Sequence, residues 1–148
     1  MYKHILIATD GSELADRGLE QGLALAHAIG ARVTVLSVTE PLSYRVLQAA
    51  IDAGVDDPAS RYDQTIDDEM RKRFASIEQR ASETGVGVEL AHELDEHPAE
   101  AIVRVASLRD CDLIVMSSHG RRGMRRFILG SQTAEVVTHT TIPVLVVR

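Results

Sequence analysis

The chain reads as an α/β protein with a parallel sheet covered by helices, and three observations predict that class. Five short apolar runs have strand length: Ile5 to Ala8, Val33 to Val38, Val86 to Ala91, Leu113 to Met116 and Val144 to Val147. The stretches between them are long enough for helices, the pattern of repeated βαβ units. The runs are nearly continuous in branched residues rather than strictly alternating, which favours burial on both faces.

The helices have legible ends. After the first strand Asp10 or Ser12 can cap, Glu13 suits the first turn, and Leu14, Gly18, Gly22, Ala26 and Ile29 recur at helical spacing until Gly30. The two glycines on that face predict close packing on the sheet. Tyr62, Ile66, Met70, Phe74, Ile77 and Ala81 step by four and three, with Gly85 just beyond. Pro98 suits the start of another helix, with Ala99, Ile102, Val103 and Ala106 inward. Ser131 can cap a last one carrying Ala134 and Val137 inward, and Pro143 separates it from the final strand. The connection from Thr39 to Ser60 is long and holds a helical piece over Leu42 to Ala53; such a connection is more often functional than structural.

Composition narrows the function. The 148 residues carry 16 Lys and Arg against 22 Asp and Glu, a formal charge of −6, the wrong sign for neutralising a nucleic-acid backbone. Trp is absent and aromatics make up 3%, too few for base-stacking platforms. Cys111 is the one cysteine, so one chain can build no internal disulfide or multi-cysteine metal site, and a reducing cytoplasm fits best. His92 and His97 lack the i, i+4 spacing of a zinc helix, and no structural metal is expected. No apolar segment reaches membrane-spanning length, and no linker or repeat divides the chain, so one domain over residues 1–148 is expected.

Right-handed crossovers leave 2-1-3-4-5 or 3-2-1-4-5 as the common strand orders. In either, a ligand binds outside the carboxyl ends of the strands where the winding reverses, which directs attention to Asp10, Val38 to Glu40 and the stretch after Met116. Ser117-Ser118-His119-Gly120 follows the fourth strand, Gly130-Ser131 opens the last helix, and an arginine-rich loop lies between. Glycines that allow close approach, with unpaired amides at a helix start, suit an anion, and Ser131 and Thr133 add hydroxyls. The alternative is that these glycines only satisfy turn geometry. Neither Gly-x4-Gly-Lys-[Ser/Thr] nor Gly-x-Gly-x-x-Gly is present, which disfavours a P-loop NTPase or a standard dinucleotide dehydrogenase.

These residues resemble the universal stress protein family across nearly the whole chain. Lys3-His4-Ile5-Leu6-Ile7-Ala8-Thr9-Asp10-Gly11-Ser12 looks like its first strand and turn, and Ser118-His119-Gly120 through Gly130-Ser131 to Ile142-Pro143-Val144-Leu145-Val146-Val147 like its last third. The family's nucleotide-binding members carry Gly-x2-Gly-x9-Gly-[Ser/Thr]. Gly120, Gly130 and Ser131 match it, and Ser117 replaces the first glycine. The resemblance implies a three-layer α/β/α open parallel five-stranded sheet, order 3-2-1-4-5, adenine nucleotide alpha hydrolase-like. It further implies a homodimer that binds ATP, AMP or another adenine nucleotide with Mg²⁺; the C-terminal strand Val144 to Val147, an apolar edge in that strand order, is the expected seam, and a cytoplasmic setting fits the single cysteine. Such a protein acts in the stress response through protein partners, with at most weak ATPase activity.

Carried over by residue, the resemblance sets Asp10 and Val38 at the ribose and adenine, and Met116 and Ser117 along the adenosine pocket. Gly120, Gly130, Ser131, Gln132 and Thr133 then meet the phosphates. Arg121 and Arg122 either clamp a phosphate or belong, with Arg125 and Arg126, to a solvated loop. Asp10 serves as a ligand group or as a helix cap completed by Glu13. His119 invites a catalytic role, but no Ser-His-Asp arrangement accompanies it, and a structural or ligand-packing role is the stronger reading. Cys111 reads as an inert packing thiol. Two other functions stay open: a nucleotide-free interaction protein in which Ser117 marks loss of the pocket, and a slow ATP hydrolase.

Overall fold

The computed structural model describes residues 1–119 and 129–148. Its elements alternate as the apolar pattern requires: β1 (His4–Ala8), α1 (Glu13–Ile29), β2 (Arg32–Thr39), α2 (Tyr44–Asp52), α3 (Pro58–Thr84), β3 (Val88–Leu94), α4 (Pro98–Leu108), β4 (Leu113–Ser117), α5 (Ser131–His139) and β5 (Val144–Val147). The described strands form one parallel sheet in the order β3-β2-β1-β4-β5. Ile5 pairs with Val33 on one side and Leu113 on the other, so β1 lies at the centre and the chain winds outward from it in both directions.

Two apolar layers sandwich this sheet. Ile5, Ile7, Val33, Val35 and Val115 face Leu19, Leu23 and Ala26 of α1 and Ile77 and Ala81 of α3. Leu6, Leu36, Ile114 and Met116 face Ile102 and Val105 of α4 and Val136 of α5. Successive strand residues point to opposite faces, so continuous apolar runs serve both layers. Gly22 lets α1 settle onto β1, since a Cβ there would lie 2.5 Å from Ile7 Cδ1. Gly18, whose nearest such neighbour is 3.6 Å away, is less crowded.

Local chemistry corrects several expectations. Ser12, not Asp10, caps α1, its Oγ accepting from Ala15 N at 3.2 Å, so no capping box forms between Asp10 and Glu13. The third strand begins at Val88 rather than Val86 and runs on to Leu94, because pairing with β2 extends from Val33↔Val88 to Thr39↔Leu94. Gly130 occupies the cap position of α5 and Ser131 is its first helical residue, making no capping bond. That shift rotates the buried face onto Thr133 and Val136 and leaves Val137 45% exposed. Val103 of α4 is only half-buried, its inward place taken by Ala101 and Val105. Within the 39–60 connection Ser43 caps α2, and α3 starts at Pro58, a turn before the apolar stripe.

Candidate functional site

Because winding reverses at β1, the chain leaves β1 toward one face of the sheet and β4 toward the other, and a cleft opens between their carboxyl ends. A cavity of about 430 Å³ occupies it. Ala8, Leu36, Val38, Ile102 and Met116 supply an apolar floor, Asp10 and Ser117 stand at the strand ends, and Gly130, Ser131, Gln132 and Thr133 close one end. The cleft thus gathers Asp10, Val38, Met116, Ser117, Gly130, Ser131, Gln132 and Thr133. Gly120, Arg121 and Arg122, with Arg125 and Arg126, lie outside the described residues.

The turn that carries Asp10 is braced locally. Gly11 has φ +75°, its N–H donates to Thr9 Oγ1 at 3.2 Å, and Asp10 Oδ1 accepts from Ser12 N at 2.9 Å. Asp10 therefore folds its own turn, the Asx geometry typical of aspartate, while lining the cleft. Val38 contributes through its backbone. Leu36 O accepts from Thr9 N and Thr39 O accepts from Asp95 N, so in the alternating parallel ladder Val38 N–H and C=O point toward the β1 side. There β1 has already ended at Ala8.

The α5 end is built for negative charge. The first in-helix bond runs from Ala134 N to Gly130 O at 2.9 Å, so the amides of Ser131, Gln132 and Thr133 precede any in-helix acceptor. Those amides sit at the positive end of the helix dipole. Neighbouring side chains act as braces: Gln132 Oε1 accepts from Ala99 N of α4 at 3.0 Å, and buried Thr133 Oγ1 donates to Ser117 O at 2.9 Å. Gly130 N–H donates to Ser118 O at 2.8 Å, and a Cβ at residue 130 would lie 3.0 Å from that oxygen. Glycine at the cap also means that its own side chain cannot compete for the amides. Ser117 Oγ donates to His119 O at 2.7 Å, committing its proton to the start of the following segment. His119 Nδ1 lies 3.1 Å from Ser118 Oγ.

The remaining wall carries little signal in the sequence. Tyr62, Ile66, Glu69 and Arg73 step by four, three and four along α3 and all line the cavity. Tyr62 and Ile66 look like the start of a core stripe, but the described core on α3 begins at Met70 and their positions overhang the sheet's end. Glu69 and Arg73 carry no apolar signal at all. The Tyr62 hydroxyl donates to Glu40 O, and burial first, then Glu40, Glu69 and Asp63, raises its pKa. Arg73 Nη1 donates to Ser37 Oγ at 2.6 Å, and Ser37 Oγ donates to Thr9 O at 2.9 Å. Away from the cleft, Cys111 is buried and burial pushes its thiol up to about 11, which keeps it protonated and unreactive.

An open parallel sheet of this order, with its cleft at the winding reversal, defines an α/β protein of the class that binds ligands at strand ends. More particularly, the chain belongs to the universal stress protein family, which it matches over residues 1–148. It is 34% identical to a Thermus aquaticus universal stress protein, all of both chains being covered. It is 28% identical to universal stress protein MJ0577 of Methanocaldococcus jannaschii, whose structure superposes with a TM-score of 0.77, covering 99% of this chain and 96% of that one. A universal stress protein from Archaeoglobus fulgidus, solved with dAMP, shares the fold at 20% identity and a TM-score of 0.67, covering 99% of this chain and 98% of that one.

Proposed function

We propose that the protein binds ATP, or another adenine nucleotide, and acts in the cytoplasmic stress response through protein partners, with little or no hydrolysis. The observation that carries this reading is the pairing, in one cleft, of an apolar floor and backbone-edge groups with a row of helix-start amides. An adenine edge offers one acceptor and one amino donor side by side, which complements the N–H and C=O of Val38. Met116 and Leu36 supply apolar contact for the ring. Asp10 can accept from ribose hydroxyls, and the amides of Ser131 to Thr133 can hold phosphate oxygens, with Gly120, Arg121 and Arg122 as further phosphate partners. Mg²⁺ would come with the nucleotide, held by its phosphates. Backbone amides hold charge but move no proton, which is the reason for proposing weak turnover at most. The dAMP-bound Archaeoglobus fulgidus protein supports the choice of an adenine ligand for this fold.

Titration calorimetry with ATP and Mg²⁺ tests the reading directly. Gly130→Val puts branched carbon where a Cβ already meets Ser118 O at 3.0 Å, and should weaken binding at least tenfold, about 1.4 kcal/mol. Unchanged affinity in a folded variant would count against the site. Ser117 favours a second reading, a nucleotide-free interaction protein, because its side chain stands where the family's motif has glycine. Mass analysis of ligand released from gently purified, then denatured protein separates the two.

A further inference from the structure

We infer that Arg73 is the positioning residue that sets the site's choice of sugar, making it select ribose over deoxyribose. The inference rests on the nucleotide reading above and deepens it. Arg73 leaves α3 between two buried anchors, Met70 and Ile77, so its backbone is fixed by the core. Its side chain crosses the carboxyl end of the sheet and reaches the β1–α1 turn, from which α1, β2 and α2 separate it in sequence. There the guanidinium lies flat against Gly11: a Cβ at residue 11 would fall 2.7 Å from Nε and 2.9 Å from Cζ and Nη2. Its Nη1 donates to Ser37 Oγ at 2.6 Å, and that hydroxyl, fully buried, donates onward to Thr9 O at 2.9 Å. The turn Thr9–Gly11 is therefore held from two directions by one side chain, by packing on Gly11 and by a hydrogen-bonded chain into Thr9. Asp10 is the residue between those two holds.

Asp10 is also the carboxylate at the strand end that would accept from ribose hydroxyls. A carboxylate distinguishes ribose from deoxyribose only if it stays within hydrogen-bond distance of the missing hydroxyl, so its discrimination depends on how firmly the turn is held. Arg73 is the one cationic side chain among the described residues lining the main cavity, which also carries Asp10, Glu40 and Glu69. It forms part of a second cavity too, about 270 Å³ between α1 and α3, which shares only Thr9 and Arg73 with the first. The guanidinium is thus the partition behind the turn. Without it the turn gains room to retreat from the sugar. Gly11 and Arg73 act as a pair: the glycine both adopts the left-handed φ and leaves the flat surface on which the guanidinium rests.

The test compares ATP, 2′-deoxy-ATP and 3′-deoxy-ATP, each with Mg²⁺, by titration calorimetry on the full chain. The expected wild-type result is ATP binding about tenfold tighter than at least one deoxy analogue, the loss of one hydrogen bond to a charged group. In Arg73→Met that preference falls to within about twofold, through weaker ATP binding rather than tighter deoxy binding. Asp10→Ala removes the same preference, and adding Arg73→Met to it changes the ratio no further, as expected for residues acting through one contact. Ser37→Ala breaks the same chain with a minimal change in volume, so it carries the test if Arg73→Met does not fold, and it should shrink the ratio in the same direction. If wild type binds no adenine nucleotide, the nucleotide reading and this inference fall together. If it binds ATP but has no sugar preference, or keeps that preference in folded Arg73→Met or Ser37→Ala, the inference alone is overturned.

Discussion

Ser117 shows how one atom changes the meaning of a motif. Its hydroxyl proton goes to His119 O at 2.7 Å, so the side chain shapes the exit from β4 instead of offering a donor to the cleft it lines. Ser117→Gly should lower stability by roughly 1–2 kcal/mol, combining one lost hydrogen bond with glycine's entropy in a strand. It should alter ATP affinity less than about threefold, because the hydroxyl's donor is spent within the protein. Urea melts and calorimetry on the same preparation read both quantities. A tenfold gain in affinity would mean that the side chain obstructs the nucleotide. Other residues follow the same logic. Asp10 was recognisable from its place after β1, but whether it or Ser12 capped α1 depended on one backbone turn that composition does not encode. The family resemblance implies a phosphate role for Gln132 and Thr133; that their side chains brace α4 and β4 depends on contacts across 33 and 16 residues.

Elements whose signal is periodic and local were the most legible. The Gly30 and Gly85 stops are both observed as left-handed caps, at φ +68° and +74°. The sequence leaves the phase of α5 hidden because its cap is a glycine, which offers no side-chain signature, and the polar Thr133 takes a buried place by bonding to Ser117 O. The α3 wall escaped because its charged members face a cavity that exists only once β1, β2 and β4 end together. Between elements, Asp112 ties the start of β1 to the turn before β4. Its Oδ1 and Oδ2 accept from Lys3 N at 3.0 and 2.8 Å, and Oδ1 also accepts from His4 N at 3.0 Å. Partial burial alone would raise its pKa, but these amide bonds outweigh it and hold the carboxyl below its ordinary value. A carboxyl depressed in the folded state contributes stability fully above its unfolded value, near about 3.9, and loses it as pH falls through the folded value. Asp112→Asn should therefore cost about 1 kcal/mol at neutral pH, a figure discounted for solvent screening at a partly exposed site. The gap from wild type should narrow as pH falls below the ordinary carboxyl value of about 3.9 and on through the lower folded one. Urea melts at both pH values check this, and a gap that persists in acid would assign the loss to geometry rather than charge.

At the scale of the whole molecule, strand order was reachable from handedness rules plus the family resemblance, but its consequence at the sheet edge needs the register. β5 borders only β4 among the described strands. Ile114 N donates to Pro143 O and Ser118 N to Val147 O, so the odd-numbered residues of β5 turn their backbone groups toward β4. Val144 and Val146 therefore turn theirs outward, beside the 37%-exposed Leu145. The 39–60 connection does not shield this edge: α2 packs on α3, and α3 packs on α1 and β3, the strand at the opposite edge. An apolar edge with outward amides invites pairing. Two copies meeting antiparallel about a two-fold axis would pair Val144 and Val146 with their counterparts in a closed, isologous contact. Val146→Pro is a selective probe, because the N–H it removes faces outward and takes no part in the β4 ladder, and proline is tolerated on such an edge. The variant should keep its fold and its ATP binding, and sediment as a monomer at micromolar concentrations where the wild type sediments as a dimer. A wild-type monomer under those conditions would exclude this pairing. A Val146→Pro dimer would move the interface elsewhere, since no antiparallel ladder centred on this strand survives the loss of that donor.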